Sequence, residues 1–250
     1  MRAKAMWRDR TVDDRELCVG VLGGLGPEAT VDFMAKVLAA SGAATDQEHL
    51  HLIVDCNPKV ANRNDAIAGR GPSPAPQLVA MARRLETAGA DFLVMACNAA
   101  HAFAGDIRGA VRIPFVSIID ETVAALRRDL PGLEAVAVLA AGGCRMARLY
   151  ENALAAHGIR PLSPDDDEQA SLMQAIYAIK AGRAASTRDE LVALSETLVR
   201  RGAQAVIAGC TEVPLVLRQG DLSRPMLDST QALAEATVAY ARRQRRIPSV

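Results

Sequence analysis

Five cysteines, Cys18, Cys56, Cys97, Cys144 and Cys210, are the side chains of this chain best suited to covalent or proton-transfer chemistry, and two of them occupy matching contexts. Cys97 closes the segment Gly89-Ala-Asp-Phe-Leu-Val-Met-Ala-Cys97, and Cys210 closes Gly202-Ala-Gln-Ala-Val-Ile-Ala-Gly-Cys210. Each reads as Gly-Ala, an apolar strand, then cysteine at the same spacing. Each cysteine is followed by a polar residue, Asn98 or Thr211, and then by an apparent helix start. A helix N-terminus favours thiolate over thiol. A single buried cysteine is usually a small apolar packing residue, so the functional reading rests on the pairing. Cys18, Cys56 and Cys144 have no counterpart and read as packing residues. Two opposed thiols suit one task in particular: one removes a proton from a carbon and the other returns a proton to its opposite face. An α-hydrogen is weakly acidic, so such a site needs preorganised donors for the carbanion charge and bases held at attack distance.

These cysteines need elements that bring them together. Apolar runs at Leu17–Gly24, Leu50–Asn57, Asp91–Asn98, Phe115–Ile119, Glu134–Ala141 and Gln204–Cys210 predict strands. Helical patterns lie near 28–41, 72–88, 120–130, 145–157, 168–181, 187–201 and 229–246. Strands alternating with helices imply parallel sheets. Gly69 to Pro76 reads as a loop entering a helix, and the acidic run Asp165–Glu168 as a helix start favoured by the helix dipole. A second internal match, Val19-Gly-Val-Leu-Gly-Gly24 against Val136-Ala-Val-Leu-Ala-Ala141, agrees with the cysteine pair and implies duplication. The expected fold is therefore α/β, with two domains related by a pseudo-twofold axis, mainly parallel sheets, and the active site at their interface. Residues 1–115 with 227–250 form the first expected domain and 116–226 the second, the last helix packing back on the first half. Ligands of parallel α/β sheets bind at the strand C-termini, so two facing halves place two strand-end cysteines across one cleft.

Composition excludes several other classes. Lys plus Arg and Asp plus Glu are both 29, and only eight residues are aromatic (one Trp, three Tyr, four Phe). Neither a basic face nor base-stacking surfaces for nucleic acid are expected. No apolar run approaches the roughly 18 residues of a membrane span. Residues 1–16 are polar and of mixed charge, which reads as a surface arm rather than a signal peptide, and the expected location is cytoplasmic. No metal site is expected: there is no Cys-x-x-Cys pair, and His49, His51 and Cys56 form only a loose cluster. Gly24 to Ala29 fits the dinucleotide pattern G-x-G-x-x-A, but the nearest suitable acid, Asp55, lies too far on. The same glycine segment has backbone N–H groups at a helix start that suit a carboxylate, which makes Gly24 a candidate substrate-binding residue.

The segments Gly23-Gly-Leu-Gly-Pro-Glu-Ala-Thr30, Asp46-Gln-Glu-His49, Cys97-Asn-Ala-Ala-His101 and Gly209-Cys-Thr-Glu212, with the turn Asp228-Ser-Thr230, resemble those of the aspartate/glutamate racemase family from about Cys18 to Ala241. The resemblance implies racemisation of an acidic amino acid, aspartate first and glutamate second, without pyridoxal phosphate or another cofactor. It implies Cys97 and Cys210 as catalytic bases, with Asn98 and Thr211 hydrogen-bonding the substrate's α-carboxylate or ammonium. It implies that Arg63 and Lys180 hold a side-chain carboxylate, that His101 supports Cys97 and that Glu212 supports Cys210. A homodimer is implied as well. Two departures stand out: Ala99 occupies a position where the family usually has threonine, and Ala61-Asn62-Arg63 replaces Pro-Asp-Arg. A Cys-dependent hydrolase or isomerase of the hydantoin racemase or maleate isomerase kind, and a non-catalytic amino-acid-binding protein, remain open alternatives.

Overall fold

The computed structural model describes residues 15–248. Most of the arm expected over 1–16 therefore lies outside the described residues. The chain builds two four-stranded sheets, each parallel throughout. The first holds β1 (Val19–Gly23), β2 (Leu52–Cys56), β3 (Phe92–Met95) and β4 (Phe115–Val116), and the second β5 (Ala135–Val138), β6 (Arg160–Leu162), β7 (Val206–Ala208) and β8 (Met226–Asp228). Their orders are β2-β1-β3-β4 and β6-β5-β7-β8. Both halves thus use the same winding, with the strands of the two internal sequence matches at the centre of each sheet. Those central strands are buried along their whole length, as continuous apolar runs covered on both faces should be.

The helices are α1 (Pro27–Ser41), α2 (Arg63–Ile67), α3 (Ala75–Thr87), α4 (Ala104–Arg108), α5 (Ile118–Asp129), α6 (Gly142–Met146), α7 (Leu149–Ala155), α8 (Asp166–Lys180), α9 (Arg188–Arg200) and α10 (Ser229–Ala241). The helix following each sheet's last strand crosses to the other half. Helix α10 packs on α1 of the first half, α5 packs on α7 of the second, and the two crossing helices pack on each other. This exchange ties the halves together through one apolar core that includes Phe33, Val37, Val123, Leu126, Tyr150, Leu233 and Tyr240. The second sheet runs to Asp228, so the chain returns to the first half just after that residue.

The acidic run at 165–168 is a capping box: Asp165 accepts from the Glu168 N–H while the Glu168 carboxylate accepts from the Asp165 N–H, which satisfies two otherwise orphaned donors. Pro74 and Pro76 open α3 as the loop reading expected. Other expectations need correction. Residues 115–119 are a two-residue strand followed at once by α5, because Ser117 caps the helix through the Asp120 N–H. The helix expected over 145–157 is two helices, broken at Arg148, whose φ is 53°. The final helix stops at Ala241 rather than near 246. Cys56 is exposed at the end of β2, whereas Cys18 and Cys144 are buried as packing residues should be.

Candidate active site

Cys97 lies two residues beyond the end of β3, and Cys210 two residues beyond the end of β7. Both line one small cavity of about 30 Å³ between the halves, together with Leu25, Arg63, Asn64, Asn98, Ala99, Lys180, Thr211 and Glu212. The cavity shares Leu25, Arg63, Lys180 and Glu212 as walls with an outer chamber of about 340 Å³ that is also edged by Gly24, Gly26, Pro27 and Pro58. The structure thus places all the expected substrate and catalytic residues around these two adjoining spaces, apart from His101, whose ring meets the Cys97 carbonyl.

The two cysteines differ in their surroundings. The Cys210 thiol donates to Glu212 Oε2 at 3.0 Å, and that oxygen also accepts from Thr211 Oγ1 at 3.3 Å. The other Glu212 oxygen is held by the Lys180 ammonium. Burial and the neighbouring Glu212 charge push the Cys210 thiol well above its ordinary range, against a smaller opposing pull from Lys180. The expected helix-terminus activation is therefore absent at this cysteine, which rests as a thiol. No α-helix begins behind either cysteine; short 3-10 turns, Ala99–Phe103 and Val213–Leu215, follow them. Burial alone would pull the Lys180 ammonium down, but the neighbouring Glu212 charge and its hydrogen bond hold it above its usual value.

On the Cys97 side, His101 makes no hydrogen bond to the sulfur. One ring nitrogen, Nδ1, lies 2.8 Å from the Cys97 carbonyl, and Nε2 accepts from the Ile118 N–H at 3.0 Å. The ring is therefore the neutral Nδ1–H tautomer, donating to one backbone group and accepting from another. Burial lowers its pKa to about 4. His101 thus fixes the turn that carries Cys97. Asn98 is fixed as tightly: Tyr150 donates to its Oδ1 at 2.6 Å, and its Nδ2 donates to Ser229 Oγ at 3.1 Å, which in turn donates to the Ala208 carbonyl at 2.8 Å. This chain runs from one half to the other and leaves one Asn98 amide hydrogen uncommitted. Ala99 is buried in the same wall.

Arg63, at the start of α2, donates to the carbonyls of Val60, Ala61 and Leu25 at 3.1, 2.8 and 2.5 Å. No carboxylate lies within ion-pair distance of it among the described residues, so its charge faces the two chambers without an anionic partner. The Gly24 N–H donates to Thr30 Oγ1 at 2.8 Å and is not offered to a ligand. Gly24 instead makes the turn possible: its φ is 80°, and a Cβ there would lie 2.3 Å from the Asn57 backbone nitrogen. At Gly26 a Cβ would lie 2.3 Å from Glu212 Oε1 and 3.1 Å from Lys180 Nζ, so the ion pair is packed directly on that glycine.

Sequence reasoning missed the clamp over the site. Asn64 Oδ1 accepts from the Gly143 N–H at 2.9 Å, and the side-chain amides of Asn62 and Asn64 both reach Tyr177 Oη at 3.4 Å, joining α2 of the first half to α6 and α8 of the second. Tyr150 was missed too; its only prior sign is that it is one of three tyrosines in an aromatic-poor chain.

The family model for Asp/Glu/hydantoin racemases matches residues 22–237. The chain belongs to that family. It is a racemase-family isomerase, built on the family's two-domain α/β fold. Among curated proteins it is 28% identical to the broad specificity amino-acid racemase RacX of Bacillus subtilis, over 88% of this chain and 96% of that one. Among solved structures it is similar to the aspartate racemase of Picrophilus torridus, at 27% identity, a TM-score of 0.82 and coverage of 93% and 96% of the two chains. It is similar also to an aspartate racemase homologue from Pyrococcus horikoshii, at 27% identity, a TM-score of 0.73 and coverage of 89% and 98%. No helix among the described residues is long and apolar enough to cross a membrane.

Proposed function

We propose that this chain racemises a small amino acid without pyridoxal phosphate or another cofactor, by two-base proton transfer between Cys97 and Cys210. The observation that carries this reading is that two cysteines at equivalent strand ends line the same cavity. One sulfur, as thiolate, takes the α-proton. The electron pair left on the α-carbon delocalises into the carboxylate, and the opposite thiol gives its proton to the other face. Thr211 and the remaining Asn98 amide hydrogen hold the α-carboxylate or ammonium. Glu212, bonded to the Cys210 thiol, takes and returns that proton and keeps the sulfur oriented. His101 supports Cys97 through its backbone carbonyl.

Acidic substrates, aspartate first and glutamate second, are the preferred class, because Arg63 and Lys180 both border the space a side chain must enter. A wider substrate range is the second reading. It is favoured by Ala99, by the prior engagement of Lys180 with Glu212, and by the breadth stated for the Bacillus subtilis relative. The division into residues 1–115 with 227–250 and residues 116–226, its second boundary falling within the last strand of the second sheet, a cytoplasmic location and a homodimer belong to the same reading. The exposed apolar side chains Val31 and Leu38, seven residues apart on α1, support a second copy as partner.

Loss of optical rotation over a panel of amino acids, in deuterated water, tests the proposal. Early product from either enantiomer is expected to carry deuterium while unreacted substrate stays protiated, because the delivering thiol holds a solvent-derived proton. Cys97→Ala and Cys210→Ala should each abolish racemisation, and the wild-type pH–rate profile should be bell-shaped. Product that retains the substrate's own hydrogen would mean one base serving both faces. A covalent adduct on one cysteine with hydrolysis would favour the single-nucleophile alternative, and binding without any turnover the non-catalytic one.

A further inference from the structure

The inner cavity and the outer chamber meet at Lys180 and Glu212. With an α-carbon between the two cysteines and about 30 Å³ around it, the side chain of any substrate must extend toward the outer chamber, past this ion pair. Gly26 packs directly against both members of the pair, so the pair is closed off on that side. Glu212 is 3% exposed and uses both oxygens, one for Lys180 and the other for the Cys210 thiol. Lys180 is thus already claimed by Glu212, whereas Arg63 has only backbone carbonyls as partners among the described residues.

We propose that Glu212 is a specificity-determining residue: it competes with the substrate for Lys180, and a substrate opens the site efficiently only by bringing a distal anion that takes Lys180 from it. This rests on the racemase reading above and adds a partner exchange to it. A side chain with a carboxylate replaces the anion that Lys180 loses, so the ammonium is never left buried and unpaired. A side chain without one must pass the intact pair or break it uncompensated, which is costly for a buried charge. When Lys180 moves away, Glu212 retains its hydrogen bond from Cys210, so recognition of the side chain reaches one of the two proposed bases through a single residue.

The test uses two ligands that cannot racemise, succinate and butyrate, and calorimetric binding to the wild-type chain and to Lys180→Met, Lys180→Arg and Glu212→Gln. Removing a competitor raises apparent affinity in proportion to how fully it occupied its partner. Glu212→Gln should therefore bind succinate about fivefold or more tighter than wild type. Lys180→Met should bind it at least about tenfold more weakly, as loss of one charged hydrogen bond implies, and Lys180→Arg should restore most of that loss. Butyrate, which brings no distal anion to exchange, should bind Lys180→Met no more weakly than wild type. With aspartate, Glu212→Gln should lower KM and kcat together, a split that a merely structural role does not produce. If succinate binds Glu212→Gln no tighter than wild type, or Lys180→Met as well as wild type, the competition is disproved. Poor folding of Glu212→Gln would leave the decision to the two lysine variants. None of these binding results depends on turnover, so failure of the racemase reading shows separately, as lack of racemisation by the wild-type chain.

Discussion

His101 gives a stability prediction whose size follows from its surroundings. The imidazole is 6% exposed, and both ring nitrogens are used, one donating to the Cys97 carbonyl and one accepting from the Ile118 N–H. Protonation would turn the accepting nitrogen into a donor facing another donor, inside a desolvated pocket. Burial accordingly lowers the folded-state pKa from 6.5 to about 4, partly offset by the hydrogen bond to the Cys97 carbonyl. In the unfolded chain the ring titrates near 6.5. Between those values the unfolded state binds more protons, so stability is fully present above about pH 6.5 and falls as pH drops toward 4. A gap of roughly 2.5 units corresponds to about 3 kcal/mol. For a chain of this size that is on the order of 6–12 °C in melting temperature. Carboxylates titrate in the same range, so the measurement is a difference. The wild-type chain should lose about 3 kcal/mol more than His101→Gln between pH 6.5 and 4, since glutamine carries no titrating proton. Thermal or denaturant unfolding at half-unit pH intervals provides the comparison. Parallel losses in the two proteins would refute the argument, and with it the assignment of His101 as a neutral brace for the Cys97 turn.

Two further substitutions probe the cavity walls. Ala99→Thr adds a hydroxyl donor to the inner cavity and should raise kcat/KM for aspartate if the site accepts an acidic substrate; a fall would favour a pocket shaped for another ligand. Gly26→Ala leaves a φ of −152° that any residue adopts, so its effect isolates the contact with Glu212 and Lys180. Overpacking of this kind costs about 1–3 kcal/mol, and Gly26→Ala should lower both melting temperature and kcat/KM, whereas a variant equal to wild type would show that the ion pair shifts freely.

The central strands were legible because each occurs in two matching segments of the sequence. Val19–Gly24 and Val136–Ala141, and the two segments ending at Cys97 and Cys210, become β1, β5, β3 and β7, at the centre of each sheet. Burial on both faces forces continuous apolar runs, which is the strongest strand signal available. The edge strands gave less. Arg160–Leu162 and Met226–Asp228 are three residues each, and β6 contains Pro161, which an edge position tolerates. The break at Arg148 was invisible, because its positive φ falls on a residue type that does not advertise it. In the site, motif position located the residues but not their partners. That Lys180 meets Glu212, that Arg63 meets the Leu25 carbonyl, and that Asn98 meets Tyr150 and Ser229 are contacts across many positions of sequence. Nothing in the local pattern of either partner encodes them.

The two halves share strand order and cysteine placement, yet the acid–base surroundings are unequal. Cys210 has a carboxylate bonded to its sulfur and an ammonium beyond it, while the histidine beside Cys97 is engaged with backbone. In the proposed reaction this inequality meets a fixed constraint. Two enantiomers have equal free energy in water, so the equilibrium constant is one and kcat/KM must be the same in both directions. The Glu212–Lys180 arrangement therefore cannot favour conversion of one enantiomer over the other in kcat/KM. It can only divide that quantity unequally between binding and turnover, so that a faster direction has a proportionally higher KM. Selection on such a site acts on what both directions share, which is access of a side chain and stabilisation of one common carbanion. The broken symmetry accordingly lies where a side chain must pass, at Lys180 and Glu212, and the two cysteines keep equivalent places at the ends of β3 and β7.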